Sequence, residues 1–152
     1  MPSPRTASDT AATGPGLLIH RIRVEWVRAL EQGLRMQGLE LRFTQAQALK
    51  RLVHDGPKCS GDLARELDHD AGAMTRVIDQ LVALGYVRRN PDAHDRRALR
   101  ISATDAGIVA WKTIHAVQQR ITERALQHLD PDQRQTLMTL LARMLDSLQA
   151  DH

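Results

Sequence analysis

Thr75, Arg76 and Gln80 are the side chains whose types and spacing suit a chemical task most clearly. They fall on one face of a segment in which Met74, Val77, Ile78 and Leu81 recur at helical spacing on the other. A hydroxyl, a guanidinium and an amide presented together from a rigid helix match base edges in a DNA major groove. The natural pairings are arginine with guanine and glutamine with adenine. Just downstream, between Tyr86 and Ile101, five arginines (Arg88, Arg89, Arg96, Arg97 and Arg100) stand against two aspartates, Asp92 and Asp95. That local surplus equals the net charge of the whole chain, +3. Such guanidinium groups are expected to follow phosphates and enter a minor groove, where the potential is most negative. Asp95 would pair with an arginine and hold the segment in shape. The small residues Ala71, Gly72 and Ala73 would let a helix N-terminus come close enough for its free N–H groups to meet phosphate oxygens, and Lys58 and Ser60 would act similarly one helix earlier. A polar helix face or a charge run alone is ordinarily just solvated. Their adjacency is what points to duplex DNA.

The elements that must position these groups follow from periodicity. Ile19, Ile22, Trp26, Val27, Leu30 and Leu34 mark a first amphipathic helix from Leu17 to about Met36. Thr44 with Gln47 suggests a capping box for a second helix with Ala48, Leu49, Leu52 and Val53 inward, ending at Asp55-Gly56-Pro57. Ser60 is the expected cap of a short third helix carrying Leu63, Ala64 and Leu67, and Asp70 that of a fourth, whose stripe runs to Leu84 and stops at Gly85. Tyr86 to Arg89 and Ala98 to Ser102 read as strands around the turn Asn90-Pro91-Asp92, with Leu99 and Ile101 on one side. Ile108, Trp111, Ile114, Val117, Ile121 and Ala125 predict a long helix after Thr104. Asp130-Pro131-Asp132-Gln133 opens a last one bearing Leu137, Leu140, Leu141, Met144, Leu145 and Leu148. The terminal helices carry more apolar surface than a small DNA-binding unit can cover, so a homodimer is expected.

Composition narrows the alternatives. With 152 residues, 42% hydrophobic and 26% charged, the chain suits one globular domain over residues 14–152, preceded by a polar, proline-containing arm over 1–13 expected to be disordered. No signal peptide or membrane span is indicated, so a cytoplasmic location is expected. One cysteine, Cys59, excludes an internal disulfide and a thiolate-rich zinc site, and no metal or cofactor is expected. No nucleophile elbow, phosphate loop or ligand spacing points to an enzyme, so no catalytic residues are assigned. Aromatic residues make up only 3%, too few for a single-strand stacking platform.

The order of a short helix, a turn, a second amphipathic helix and a basic hairpin predicts a mainly α fold, a winged helix-turn-helix with N- and C-terminal dimerisation helices. Leu63-Ala64-Arg65, Thr75-Arg76-Val77-Ile78-Asp79, Leu84-Gly85-Tyr86-Val87 and Asp95-Arg96-Arg97 with Thr104 resemble the multiple-antibiotic-resistance regulator (MarR) family over roughly Leu17 to Leu148. Ala103 replaces the leucine of the family's wing signature, and Gln80 stands where many members carry arginine. The resemblance implies a DNA-binding lobe over about 44–104 and dimerisation helices over about 14–40 and 105–150. It further implies a homodimeric repressor on a pseudo-palindromic operator, released by a small aromatic carboxylate or phenol. Trp26 and Trp111 would line the effector pocket, with His20, Arg23, His54 and His115 as polar partners for the ligand. Two alternatives remain at this level: a DNA-binding or architectural protein without an effector, and a redox sensor built on Cys59, whose thiolate a helix N-terminus and Lys58 would stabilise. Peroxide-sensing members usually carry their reactive cysteine in the first helix, which disfavours the second.

Overall fold

The computed structural model describes residues 14–95 and 99–150. The N-terminal arm expected over 1–13, and Arg96 and Arg97 of the hairpin, lie outside the described residues. The chain divides into two compact units, Met1–Val117 and Gln118–His152. The element order is α1 (Pro15–Met36), α2 (Phe43–His54), α3 (Ser60–Glu66), α4 (Ala71–Ala83), β1 (Val87–Pro91), β2 (Leu99–Ala103), α5 (Asp105–Ala125) and α6 (Pro131–Gln149), the mainly helical winged architecture that the periodicity predicts.

In the first unit the core gathers Leu30 and Leu34 of α1, Ala48, Leu49 and Leu52 of α2, Leu63 of α3, Met74, Ile78 and Leu81 of α4, Val87 and Ile101 of the hairpin, and Ile114 of α5, all buried. The outer part of the α1 stripe does not join it: Ile19 and Ile22 are exposed. Helices α3 and α4 pack together, and α2 supports both α4 and β2. Helix α1 meets α5 at Gly33, where an added Cβ would lie 2.6 Å from Val117 Cγ1, so only glycine admits so close a crossing.

Two of the expected caps lie one or two residues earlier than their motifs suggest. Helix α2 begins at Phe43 with Arg42 as N-cap, and Gln45 Oε1 accepts from Arg42 N at 2.7 Å. Thr44 is already inside the first turn, so it has no cap to make. Helix α3 is capped by Cys59, whose Sγ accepts from Asp62 N at 3.4 Å, which makes Ser60 the first helical residue. Asp70 does cap α4, accepting from Ala73 N at 2.9 Å. At the other end Gly85, with φ of +75°, lets Tyr86 N reach Leu81 O, and Leu84 is left exposed beyond the buried stripe.

The strands are antiparallel with Arg89 opposite Ile101. Lys58 adds a bridge to the outer side of β2: its N–H donates to Ile101 O at 3.0 Å and its carbonyl accepts from Ile101 N at 2.8 Å. The hairpin is thereby tied to the loop before α3, a link the hydrophobic pattern does not reveal. At the junction with α5, Thr104 Oγ1 donates to Gly85 O at 2.5 Å and accepts from Gly107 N at 3.1 Å.

In the second unit Asp130 and Gln133 form the expected capping box, with reciprocal bonds of 2.8 and 3.0 Å. Arg134 donates to the carbonyls of Leu126 and Leu129, closing the turn before α6. No residue of α6 is buried.

Candidate nucleic-acid interface

Met74, Ile78 and Leu81 anchor α4 from behind, and Thr75, Arg76, Asp79 and Gln80 face outward as the period requires. Thr75 Oγ1 donates to Ala71 O at 2.9 Å, which leaves its oxygen lone pairs and methyl toward solvent. Among the described residues Arg76 has no ion-pair partner, so its guanidinium is available to an incoming acceptor. Gln80 is not independent: Gln45, a buried glutamine on α2, donates through Nε2 to Gln80 Oε1 at 2.7 Å. Sequence reasoning passed over Gln45, although its position in line with Leu49 and Leu52 marks it as a polar group on a buried stripe.

Asp79 is a second residue the sequence did not single out. Its Oδ1 accepts from Arg89 Nη2 at 2.6 Å, tying the hairpin to α4. Arg89 shares the inward face of the hairpin with Val87 and Ile101, so it is the arginine that meets the helix. Arg88, on the other face, is exposed and reaches Ser102 Oγ only at 3.4 Å. Of the two described basic side chains on β1, one therefore fixes the wing and the other is the freer to meet a phosphate.

The hairpin turn is organised by Asp92. It accepts from His94 N at 2.7 Å and Asp95 N at 3.2 Å, and Arg100 Nε lies 3.1 Å from its other oxygen. Those backbone hydrogen bonds, aided by the Arg100 charge, hold the Asp92 carboxyl below its ordinary value. Arg100 is thus partly neutralised within the hairpin. Asp95 is exposed beside this turn.

The remaining groups expected at DNA divide. Ala71 and Gly72 are exposed at the start of α4, but the Ala73 N–H is taken by Asp70. Lys58 is drawn into an acidic pair, with Nζ 2.7 Å from Glu66 and 3.4 Å from Asp55, and its side chain is largely buried. The Glu66 hydrogen bond raises the Lys58 pKa above 10.5. Lys58 acts here as a structural tie, a role that spacing alone could not separate from phosphate contact. Ser60 is half-buried in the first turn of α3.

The six residues expected around an effector do not gather at one place. Arg23 lines a groove of about 350 Å³ along α1 and the start of α2, with Val27, Arg28, Glu31, Arg42 and Phe43 among its walls. Trp111 is buried, in edge contact with His54 (ring centroids 5.2 Å apart, planes at 84°) and beside His115 at 5.8 Å. Trp26 is half-buried, and His20 is exposed on the outer part of α1. No cluster of three or more His, Cys, Asp or Glu suited to a metal occurs among the described residues. None of the described helices is long and apolar enough to cross a membrane.

A short helix, a tight turn, an outward-facing second helix and an arginine-bearing hairpin braced against it define a winged helix-turn-helix transcription regulator. Comparison with known proteins makes this specific. A MarR family model matches residues 37–98. The multiple antibiotic resistance protein MarR of Escherichia coli is 29% identical over 131 residues, spanning 86% of this chain and 90% of that protein. The HTH-type transcriptional repressor NicR of Pseudomonas putida is 25% identical over 108 residues, 71% of this chain and 68% of that one. Among solved structures, a probable transcriptional regulator from Pseudomonas aeruginosa superposes with a TM-score of 0.76 at 28% identity, covering 88% of this chain and 98% of its own. A variant of E. coli MarR complexed with operator DNA gives 0.76 at 27% identity, covering 86% and 92%. Residues 37–98 thus match the MarR family, and over most of its length the chain is similar to transcription regulators of that family rather than to enzymes.

Proposed function

We propose that the chain is a cytoplasmic, homodimeric repressor that grips a pseudo-palindromic operator with α4 and the β1–β2 hairpin and is released by a small aromatic acid. The observation that carries this reading is the outward face of α4, where Arg76 stands unpaired among the described residues on a helix locked from behind, next to a hairpin that presents Arg88. Arg76 and Gln80 read bases. Thr75 and the N–H groups of Ala71 and Gly72 approach the backbone, and Arg88, Arg96 and Arg97 bind phosphate. Residues 44–104 form the DNA-binding lobe. The operator complex of the E. coli relative and the repressor named in P. putida support the DNA-binding and repressor parts.

The homodimer is supported by exposed leucines along α6 (Leu141 at 43%, Leu145 at 54% and Leu148 at 60%) and by Leu17, Ile19 and Ile22 on α1, apolar area that a monomer would leave in water. The effector is supported by the groove at Arg23. Arg23 supplies a cation for a carboxylate, beside Arg28 and Arg42, which are paired with Glu25 and Glu31, and Val27 and Phe43 supply apolar wall for a ring. Titrating the protein with its own upstream intergenic duplex and with a scrambled one, at two salt concentrations and with a panel of aromatic carboxylates and phenols, tests the whole reading. It predicts preference for the upstream duplex, weakening with salt, and release by at least one compound. Equal affinity for both duplexes would refute operator binding, and specific binding that no compound relieves would refute the effector.

A further inference from the structure

We propose that Gln45 couples the effector groove to the reading helix: an aromatic acid in the groove disturbs the first turn of α2, and the buried Gln45 amide passes that disturbance to Gln80. This rests on the effector groove and on the base-reading role given to α4 above. The groove and the relay share one stretch of chain. Arg42, Phe43 and Thr44 line the groove, and Gln45 is the next residue. Glu31 of α1, also in the groove wall, holds this stretch from one side, its Oε1 accepting from Phe43 N at 3.1 Å and its Oε2 from Arg42 Nη1 at 3.1 Å. Gln45 holds it from the other, accepting from Arg42 N through Oε1 at 2.7 Å while its Nε2 donates to Gln80 Oε1 at 2.7 Å. Two hydrogen bonds of one amide thus run from a groove-lining residue to the outward face of α4.

The charges in the groove supply the disturbance. A carboxylate held by Arg23 brings a second negative charge beside the largely buried Glu31, where it attracts Arg42 and repels the Glu31 carboxylate. Both effects pull on the residues that begin α2. Gln45 cannot answer by turning to water, because it is only 6% exposed. A shift of Arg42 is therefore met either by moving Gln80 with it or by leaving one end of a buried amide unpaired. The first outcome misplaces a reading side chain, and the second loosens its support. In both, the acid and the operator compete although they touch different elements, a linkage carried by contiguous hydrogen bonds.

The test is a linkage measurement on the full chain: the Kd of the most tightly bound substituted benzoate from the panel above, without duplex and at upstream-duplex concentrations that saturate each variant. The ratio of the two values is the coupling factor. Wild type, Gln45→Met, Gln80→Ala and Arg88→Ala are compared, with thermal melts to confirm folding. Wild type is expected to show a factor of about 5 to 150, the usual range for coupled sites. Gln45→Met keeps the length of the side chain and removes both bonds, and Gln80→Ala removes the far partner, so each lowers the factor by about threefold or more. Arg88→Ala weakens the duplex complex but keeps the wild-type factor. The proposal is overturned if either relay variant, folded, keeps the wild-type factor, or if Arg88→Ala lowers it as much as they do. Should Gln45→Met fail to fold, Gln80→Ala decides. A wild-type protein that binds the upstream duplex specifically, yet binds no benzoate or binds it equally with and without that duplex, would refute the effector reading, and this inference with it, while leaving operator binding in place.

Discussion

At the scale of single residues, the candidate interface shows how charge is divided between holding and reaching. Arg89 and Arg100 are spent on Asp79 and Asp92, whereas among the described residues Arg76 and Arg88 have no ion-pair partner. Arg76→Ala should therefore relax discrimination at one base per half-site, at a cost of about 1–3 kcal/mol on the cognate duplex. Arg88→Ala should instead weaken all duplexes evenly and lower the salt slope by about one. Competition binding on cognate and random DNA separates the two outcomes. The hairpin turn carries its own pH dependence. The Asp92 carboxyl is depressed below 3.8 when folded, so it stabilises the turn above that value, and the contribution is lost as pH falls through its lower folded pKa. Amide hydrogen exchange at His94 and Asp95 should accelerate in that acid window more than intrinsic chemistry predicts. Asp92→Asn should remove the dependence. An unchanged pH profile in that variant would assign the effect to another group.

At the scale of elements, the packing at the start of α5 decides whether hairpin and helix can coexist. A Cβ on Gly107 would stand 2.0 Å from the Tyr86 carbonyl oxygen, a main-chain atom that cannot rotate away. Gly107→Ala should cost about 1–3 kcal/mol or more, read as a lower denaturant midpoint with the slope unchanged. A midpoint within error of wild type would show that the junction shifts freely. The six helices and the hairpin were legible because their buried stripes repeat at 3.6 or 2 residues and because Asp70, Gly85 and Asp130 punctuate them with local chemistry. What was not legible depends on pairs far apart in the chain. Asp79 with Arg89, Gln45 with Gln80 and Lys58 with Ile101 are brought together only by the fold, and no local pattern announces them. The expected capping residues Thr44 and Ser60 were displaced for a different, local reason. Gln45 bonds back to the Arg42 N–H from the third helical position, and Cys59, a residue outside the usual N-cap set, accepts from Asp62 N. Of the effector residues, Trp111 looks alike in sequence whether it lines a pocket or packs, and here it packs against His54.

At the scale of the whole molecule, the proposed function requires two copies, because a single α4 spans only one half-site. Leu145→Glu, on the exposed apolar face of α6, should shift the protein toward monomer in sedimentation equilibrium without unfolding the helices, and should lose most operator affinity. A variant that stays dimeric would move the interface off α6. Two-fold symmetry sets the two reading helices about one DNA turn apart, roughly 34 Å, so protection should fall on inverted half-sites about ten base pairs centre to centre. Hydroxyl-radical footprinting on the upstream intergenic duplex is the most direct measurement of the central claim. The account predicts two symmetric protected segments with that spacing, both abolished by Arg76→Ala at concentrations where wild type protects fully. A single unsymmetrical segment, or uniform protection along the duplex, would contradict it.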